Sequence, residues 1–249
     1  MTAATAPPTT LLLTAEHGGN EVPPAYENLF RPHKTLLGTH RGWDPGSLPL
    51  ARALARELGG VLIASTVTRL LVDLNRSETN PSVFSEVTRV LPREDRALLL
   101  ERHHRPHRSA VEARVTTEVS HGRRVLHVGV HTFTPRLDAT VRSQDVALLY
   151  DPRRTAERAL SDAWLAAIAR AAPELRLRRN HPYRGSTDGL TTTLRRRFGE
   201  EAYLGIELEV SQRHVTGRGR LPTWLTCVLA DTLREVQAPA PGRVMAASP

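Results

Sequence analysis

The chain has 249 residues, 40% of them hydrophobic and only 4% aromatic, enough for one sizeable core and short for two. Lys and Arg number 34 against 26 Asp and Glu, a formal charge of +8, but Lys34 is the only lysine and the arginines are interleaved with acids; charge so dispersed does not mark a nucleic-acid binder. A single cysteine, Cys227, excludes an intramolecular disulfide framework and a cysteine-based zinc knuckle, so any bound metal must be held by His, Asp and Glu.

The first residues, MTAATAPPTT, have neither a charged n-region nor a long apolar h-region, which predicts no secretory signal and a cytoplasmic location. Residues 1–10 and 237–249 are rich in Pro, Ala, Ser and Thr and are expected to be flexible tails around one domain at 11–236. No run approaches the roughly 18–20 apolar residues that span a bilayer, so no membrane partner is expected.

Short apolar runs at 11–15, 61–65, 70–74, 125–130, 147–150, 175–179 and 204–210 read as strands. Between them lie helical periods. Ala51, Leu54, Ala55 and Leu58 follow an i, i+3, i+4, i+7 spacing, and Asp44-Pro45 before them reads as an N-cap with proline at the first helical position. A long helical region at 92–119 contains Pro106, which predicts a break or kink near Arg105. Further helices are expected at 154–171, 191–198 and 222–236, and Cys227, in the apolar run LTCVLA, reads as a buried structural cysteine. The alternation predicts a layered α/β sheet covered by helices, whose functional groups gather beyond the carboxyl ends of the strands.

Those ends are chemically loaded. Glu16-His17-Gly18-Gly19-Asn20 follows the first strand, Asn75-Arg76 follows the run at 70–74, and His131-Thr132 follows 125–130. Asn180-His181-Pro182-Tyr183-Arg184 follows 175–179, and Glu207 and Glu209 share one face of the last strand. Such types suit a divalent metal beside an anion clamp. Two imidazoles and a carboxylate leave one position of tetrahedral zinc open to water, which ionises near neutral pH, and a further carboxylate can move its proton.

Six segments, AEHGGNEVP (15–23), THRGWDPGS (39–47), VDLNRS (72–77), VGVHTFTP (128–135), RRNHPYRGSTDG (178–189) and LGIELEVSQ (204–212), resemble the N-formylglutamate amidohydrolases in family order. The resemblance implies a three-layer α/β/α domain with a mixed sheet, distantly similar to the zinc carboxypeptidases. It implies a zinc-dependent amide hydrolase, other divalent metals being possible, that removes a short acyl group such as formyl from an acidic amino acid. It casts His17 and His131 as metal ligands with Asp44 as third, Glu16 and His40 standing in reserve. Glu209 is cast as the general base, and Arg76, Arg142, Asn180 and Arg184 as holders of the substrate's carboxylates, for which an arginine fork is well shaped. The family pattern would place aromatic and histidine side chains around Pro106, where this chain has His107 and Arg108; a changed lining there would change the acyl group or amino acid accepted.

Each residue also has a plainer reading. His17 and His131 could be strand-end histidines bonded to backbone, Asp44 a helix cap, and Glu207 the partner of an arginine. His103 and His107 stand at i, i+4, but HHRPH lacks the glutamate of HExxH, so those two and His104 are expected to line a pocket or face solvent. Gly18-Gly19 lacks the GxxxxGK[ST] pattern of a phosphate loop. The alternative functions are hydrolysis of another N-acyl amino acid or small carboxyl-bearing amide, and non-catalytic binding of anions or nucleic acid through the positive charge.

Overall fold

The computed structural model describes residues 8–237; the expectations for 1–7 and 238–249 lie outside the described residues. In chain order the elements begin with β1 (Thr9–Ala15), short helices α1 (Glu27–Phe30) and α2 (Lys34–Leu37), α3 (Ser47–Leu58) and β2 (Val61–Ala64). Next come α4 (Arg93–Leu99), α5 (Arg105–Ser120), β3 (Arg124–Phe133), the two-residue strands β4 (Arg136–Leu137) and β5 (Thr140–Val141), and β6 (Val146–Leu149). The chain closes with α6 (Thr155–Ala171), β7 (Leu177–Arg179), α7 (Leu190–Arg195), β8 (Tyr203–Ser211) and α8 (Thr223–Gln237).

One six-stranded sheet runs in the order β2-β1-β3-β8-β6-β7. The first four strands of that order are parallel, and β6 and β7 run opposite to them, so the sheet is mixed. β1 is buried on both faces, as expected of a central parallel strand. Its Leu11 and Leu13 pack with Leu54 of α3, Trp164 of α6 and Leu229 of α8, whereas Leu12 faces Val111 and Val115 of α5 and Leu194 of α7. Helices therefore cover both faces, and the fold is a three-layer α/β/α sandwich. No helix among the described residues is long and apolar enough to cross a membrane.

Four expectations are corrected. Thr9 and Thr10, placed in a tail, pair with Arg124 and Val125. The run at 70–74 is not a strand but a string of turns: Leu70, Leu71, Val72 and Leu74 are buried against Phe30, Val83 and Leu99, so their apolarity reflects a separate cluster beneath a loop. Asp44 does not cap α3; Gly46, at φ 88°, precedes the helix, no side chain caps it, and the Asp44 carboxylate turns elsewhere. The break expected near Arg105 is present, as a π turn at Leu100–His104 in which the Arg105 N–H reaches the Leu100 carbonyl. That widened turn lets the chain continue into α5 although Pro106 has no N–H. Cys227 is exposed, because Leu225 and Leu229 take the inward positions of α8.

Candidate active site

The parallel strands deliver their carboxyl ends to one edge, and the chain turns inward there. Gly18 donates its N–H to the Ser65 carbonyl, and a Cβ on Gly19 would lie 2.5 Å from the Thr66 carbonyl oxygen, so the turn after β1 hugs the one after β2 as only glycine permits. His17 is thereby buried, and its carbonyl accepts the Asp44 N–H at 2.9 Å, which brings Asp44 to it. His131 lies within β3, opposite Glu209 of β8 in the ladder.

Asp44 Oδ2 stands between the two imidazoles, 3.4 Å from His17 Nδ1 and 3.0 Å from His131 Nδ1. Each ring's other nitrogen faces a second carboxylate. His17 Nε2 is 2.8 Å from Asp73 Oδ1, and His131 Nε2 is 3.3 Å from Glu16 Oε2. Arg69 ties the inner carboxylate to the outer one, reaching Asp73 Oδ2 at 2.7 Å and Asp44 Oδ1 at 3.4 Å.

Burial disfavours every charge here, and the partners decide the outcome. Asp44, Asp73 and Glu16 are held below the usual carboxylate range against their burial, Asp44 by His17 and His131, Asp73 by Arg69 and His17, Glu16 by His107 and His131. His131 is held well above the ordinary imidazole value by Asp44 and Glu16 despite its burial. Glu209 goes the other way: burial, reinforced by the carboxylates of Asp44 and Glu207 and opposed by His131, pushes it up to about 8.

The donor set fits a divalent cation. One ligand atom each from His17, Asp44 and His131 lies within 4.8 Å of the others, the two-nitrogen, one-oxygen set of catalytic zinc. The outward nitrogens held by Asp73 and Glu16 have the carboxylate–histidine–metal arrangement that fixes a ligating ring. Glu209 Oε2 is buried without a hydrogen-bond partner among the described residues. The cavity, of ≈140 Å³, is walled by Asp44, Asp188, Glu207 and Glu209 together with His17, His131, Arg69 and Arg76.

Of the residues expected to hold substrate carboxylates, Arg76 lines the cavity, with Nη1 donating to the Asp188 carbonyl at 2.7 Å. Arg142 lies one layer behind, buried, donating to the Tyr183 hydroxyl at 3.1 Å with its guanidinium 5.1 Å from the Tyr183 ring centre; Tyr183 is the wall residue. Asn180 and Arg184 do not line the cavity. The Asn180 side chain accepts the N–H groups of Tyr150 and Gly185 and so shapes the turn, and Arg184 is exposed. Glu16 stands behind His131, and His40 lines the wall outside the ligand cluster. Glu207 accepts the Thr191 hydroxyl at 3.1 Å and forms no ion pair with an arginine among the described residues. His107 is buried 3.8 Å from Glu16, and His104 bonds the Arg76 carbonyl, so neither joins the metal cluster.

Arg69 and Asp73 were not anticipated. Asp73 sits inside VDLNRS, but reading that run as a strand treated it as one polar position among apolar ones, and Arg69 lies four residues before it.

A family model described as N-formylglutamate amidohydrolase matches residues 9–216. The chain belongs to the N-formylglutamate amidohydrolase family. That membership supports a hydrolase acting on a small molecule. Among solved structures, a gene product of Agrobacterium tumefaciens is 26% identical, with a TM-score of 0.75 and 94% of each chain covered. An N-formylglutamate amidohydrolase from Ralstonia eutropha JMP134 is 19% identical, with a TM-score of 0.65, over 94% of this chain and 98% of that one, and shows the shared fold. No curated protein matches the chain in sequence.

Proposed function

We propose that this family member is a metal-dependent amide hydrolase, with zinc the best match to its ligands, that removes a short acyl group such as formyl from an acidic amino acid such as N-formyl-L-glutamate. The observation that carries the reading is the Asp44 oxygen set between the two Nδ1 atoms of His17 and His131, with Glu209 opposite His131 in the adjacent strand.

His17, Asp44 and His131 would hold the cation, which when bound supplies Lewis-acid polarisation of the amide carbonyl and acidifies a water molecule to near neutrality. Glu209 takes a proton from the attacking water and delivers it to the departing nitrogen, so that the C–N bond breaks to give formate and the free amino acid. Its burial and raised proton affinity suit a group that must both accept and return a proton near neutral pH. Arg76, in the wall, holds a carboxylate of the substrate, and Tyr183, backed by Arg142, closes the same side.

The test is metal content by inductively coupled plasma mass spectrometry, paired with formate release from N-formyl-L-glutamate. About one metal ion per chain is expected in the wild type and none in the His17→Ala/His131→Ala double variant, with formate release following the metal. A wild-type protein that takes up no zinc, manganese or cobalt overturns the reading.

A further inference from the structure

The cavity does not end at its wall. A second compartment of ≈360 Å³ adjoins it and shares His40, Arg69, Arg76 and Tyr183 with it. The inner cavity alone, at ≈140 Å³, falls below the about 300–1,000 Å³ of ordinary small-molecule sites, whereas the two together reach that range.

The outer compartment is rich in arginine. Four arginines, Arg41, Arg69, Arg76 and Arg89, the middle two shared with the inner cavity, stand against Asp73 and Glu86 there. The two outer carboxylates are already engaged, Asp73 by Arg69 and His17 and Glu86 by Arg41. Arg89 is exposed and has no ion-pair partner among the described residues, so the cleft offers an uncompensated cation beyond Arg76.

We propose that the outer compartment is an anion subsite of the active site that takes a second acidic residue of the substrate, so that N-acyl acidic dipeptides are substrates alongside N-acyl amino acids. The proposal rests on the hydrolase reading. Orientation follows from the shared wall: Arg76, which holds the first residue's carboxylate, also belongs to the outer cleft, so the chain enters it from the leaving-amine side. The acyl group stays inside, beside the residues that would hold the cation, and the peptide's terminal carboxylates reach Arg89.

The experiment compares N-formyl-L-glutamate with N-formyl-L-glutamyl-L-glutamate on the metal-loaded enzyme at low salt, in the wild type and in Arg89→Glu and Arg89→Lys. The expected result is a KM about five-fold lower for the dipeptide at similar kcat, the scale of one ion pair at a partly exposed site. Arg89→Glu abolishes that preference, Arg89→Lys retains most of it, and KM for N-formyl-L-glutamate moves much less. Equal KM values, or a preference that survives Arg89→Glu, overturn the subsite while leaving the hydrolase intact. If neither compound is cleaved, the hydrolase reading fails. Isothermal titration of L-glutamyl-L-glutamate into the metal-loaded wild type and Arg89→Glu proteins then decides the subsite: weaker binding to the variant supports it, and equal or absent binding overturns it.

Discussion

His17 Nε2 lies 2.8 Å from Asp73 Oδ1, and this contact turns the opposite ring nitrogen, Nδ1, toward Asp44. Asp73 is itself fixed, by Arg69 on its other oxygen and by the Asn75 N–H. A ring so held needs no reorientation when a cation binds, and its basicity is raised by the carboxylate behind it. Asp73→Asn, which keeps an acceptor but loses the charge, should weaken zinc binding about ten-fold, and Asp73→Ala by up to about a hundred-fold. Competition against a chromophoric chelator measures this; unchanged affinity in Asp73→Ala would remove Asp73 from the metal site.

Glu209 makes a separable prediction because it stands beside the cluster rather than in it. Glu209→Gln should bind metal with wild-type stoichiometry and lose turnover by about 10²–10⁴-fold, the range for removal of a positioned proton carrier. The amide fills the same space, and Oε2 has no hydrogen-bond partner among the described residues to lose. Metal analysis and formate release on one preparation separate the two effects, and full turnover in this variant would mean that another group moves the proton.

The strand exits were legible because each follows a short apolar run: His17 after β1, and Glu209 near the end of β8. His131 was legible for the same reason, although β3 extends past it to Phe133 and so holds it in the ladder opposite Glu209. Asp44 was ambiguous in sequence, since an aspartate before proline and a helix also fits a cap; the backbone bond from its N–H to the His17 carbonyl brings its carboxylate between the two imidazoles. What could not be read was interaction between distant residues. Asp73 reaches His17, which follows β1, and Arg69 joins Asp73 to Asp44, while Asn180 satisfies backbone N–H groups of a turn whose path no local pattern discloses. The run at 70–74 shows the limit of apolarity as a strand signal, because burial beneath a loop requires the same residue types.

Gly19→Ala should test how far the site depends on backbone proximity. The new Cβ would meet the Thr66 carbonyl oxygen at 2.5 Å and the Thr66 Cα at 2.8 Å, backbone atoms that cannot rotate away. Relief requires the turns after β1 and β2 to part, at a cost of about 1–3 kcal/mol by analogy with overpacked cores. The expected readout is a lower midpoint in urea together with weaker metal binding, since His17 is two residues away. Gly59→Ala is the contrasting variant: Gly59 has a φ of 65° but nothing within 4 Å of an added Cβ, so it should lose stability through backbone strain and leave the metal site unaltered.

Acid stability should depend on Glu118, far from the active site. Its buried carboxylate accepts from Arg123 and from the Thr10 hydroxyl at 2.7 Å and pairs with Arg114, so α5 is tied to the start of β1. Those partners hold its pKa down from an ordinary 4.5 to about 2. A carboxyl whose pKa is lower in the folded chain stabilises the fold in its ionised form. That contribution is complete above pH 4.5, shrinks as pH falls because the unfolded chain takes up the proton first, and is gone below about 2. Glu118→Gln keeps the shape and loses the charge. It should therefore be less stable than the wild type by about 2 kcal/mol at pH 7, the scale of a hydrogen bond to a charged group, with the difference closing between pH 4.5 and 2. Urea denaturation of both proteins at intervals from pH 7 to 2 measures the gap; a difference that stays constant with pH would show that the Glu118 charge does not contribute to the fold.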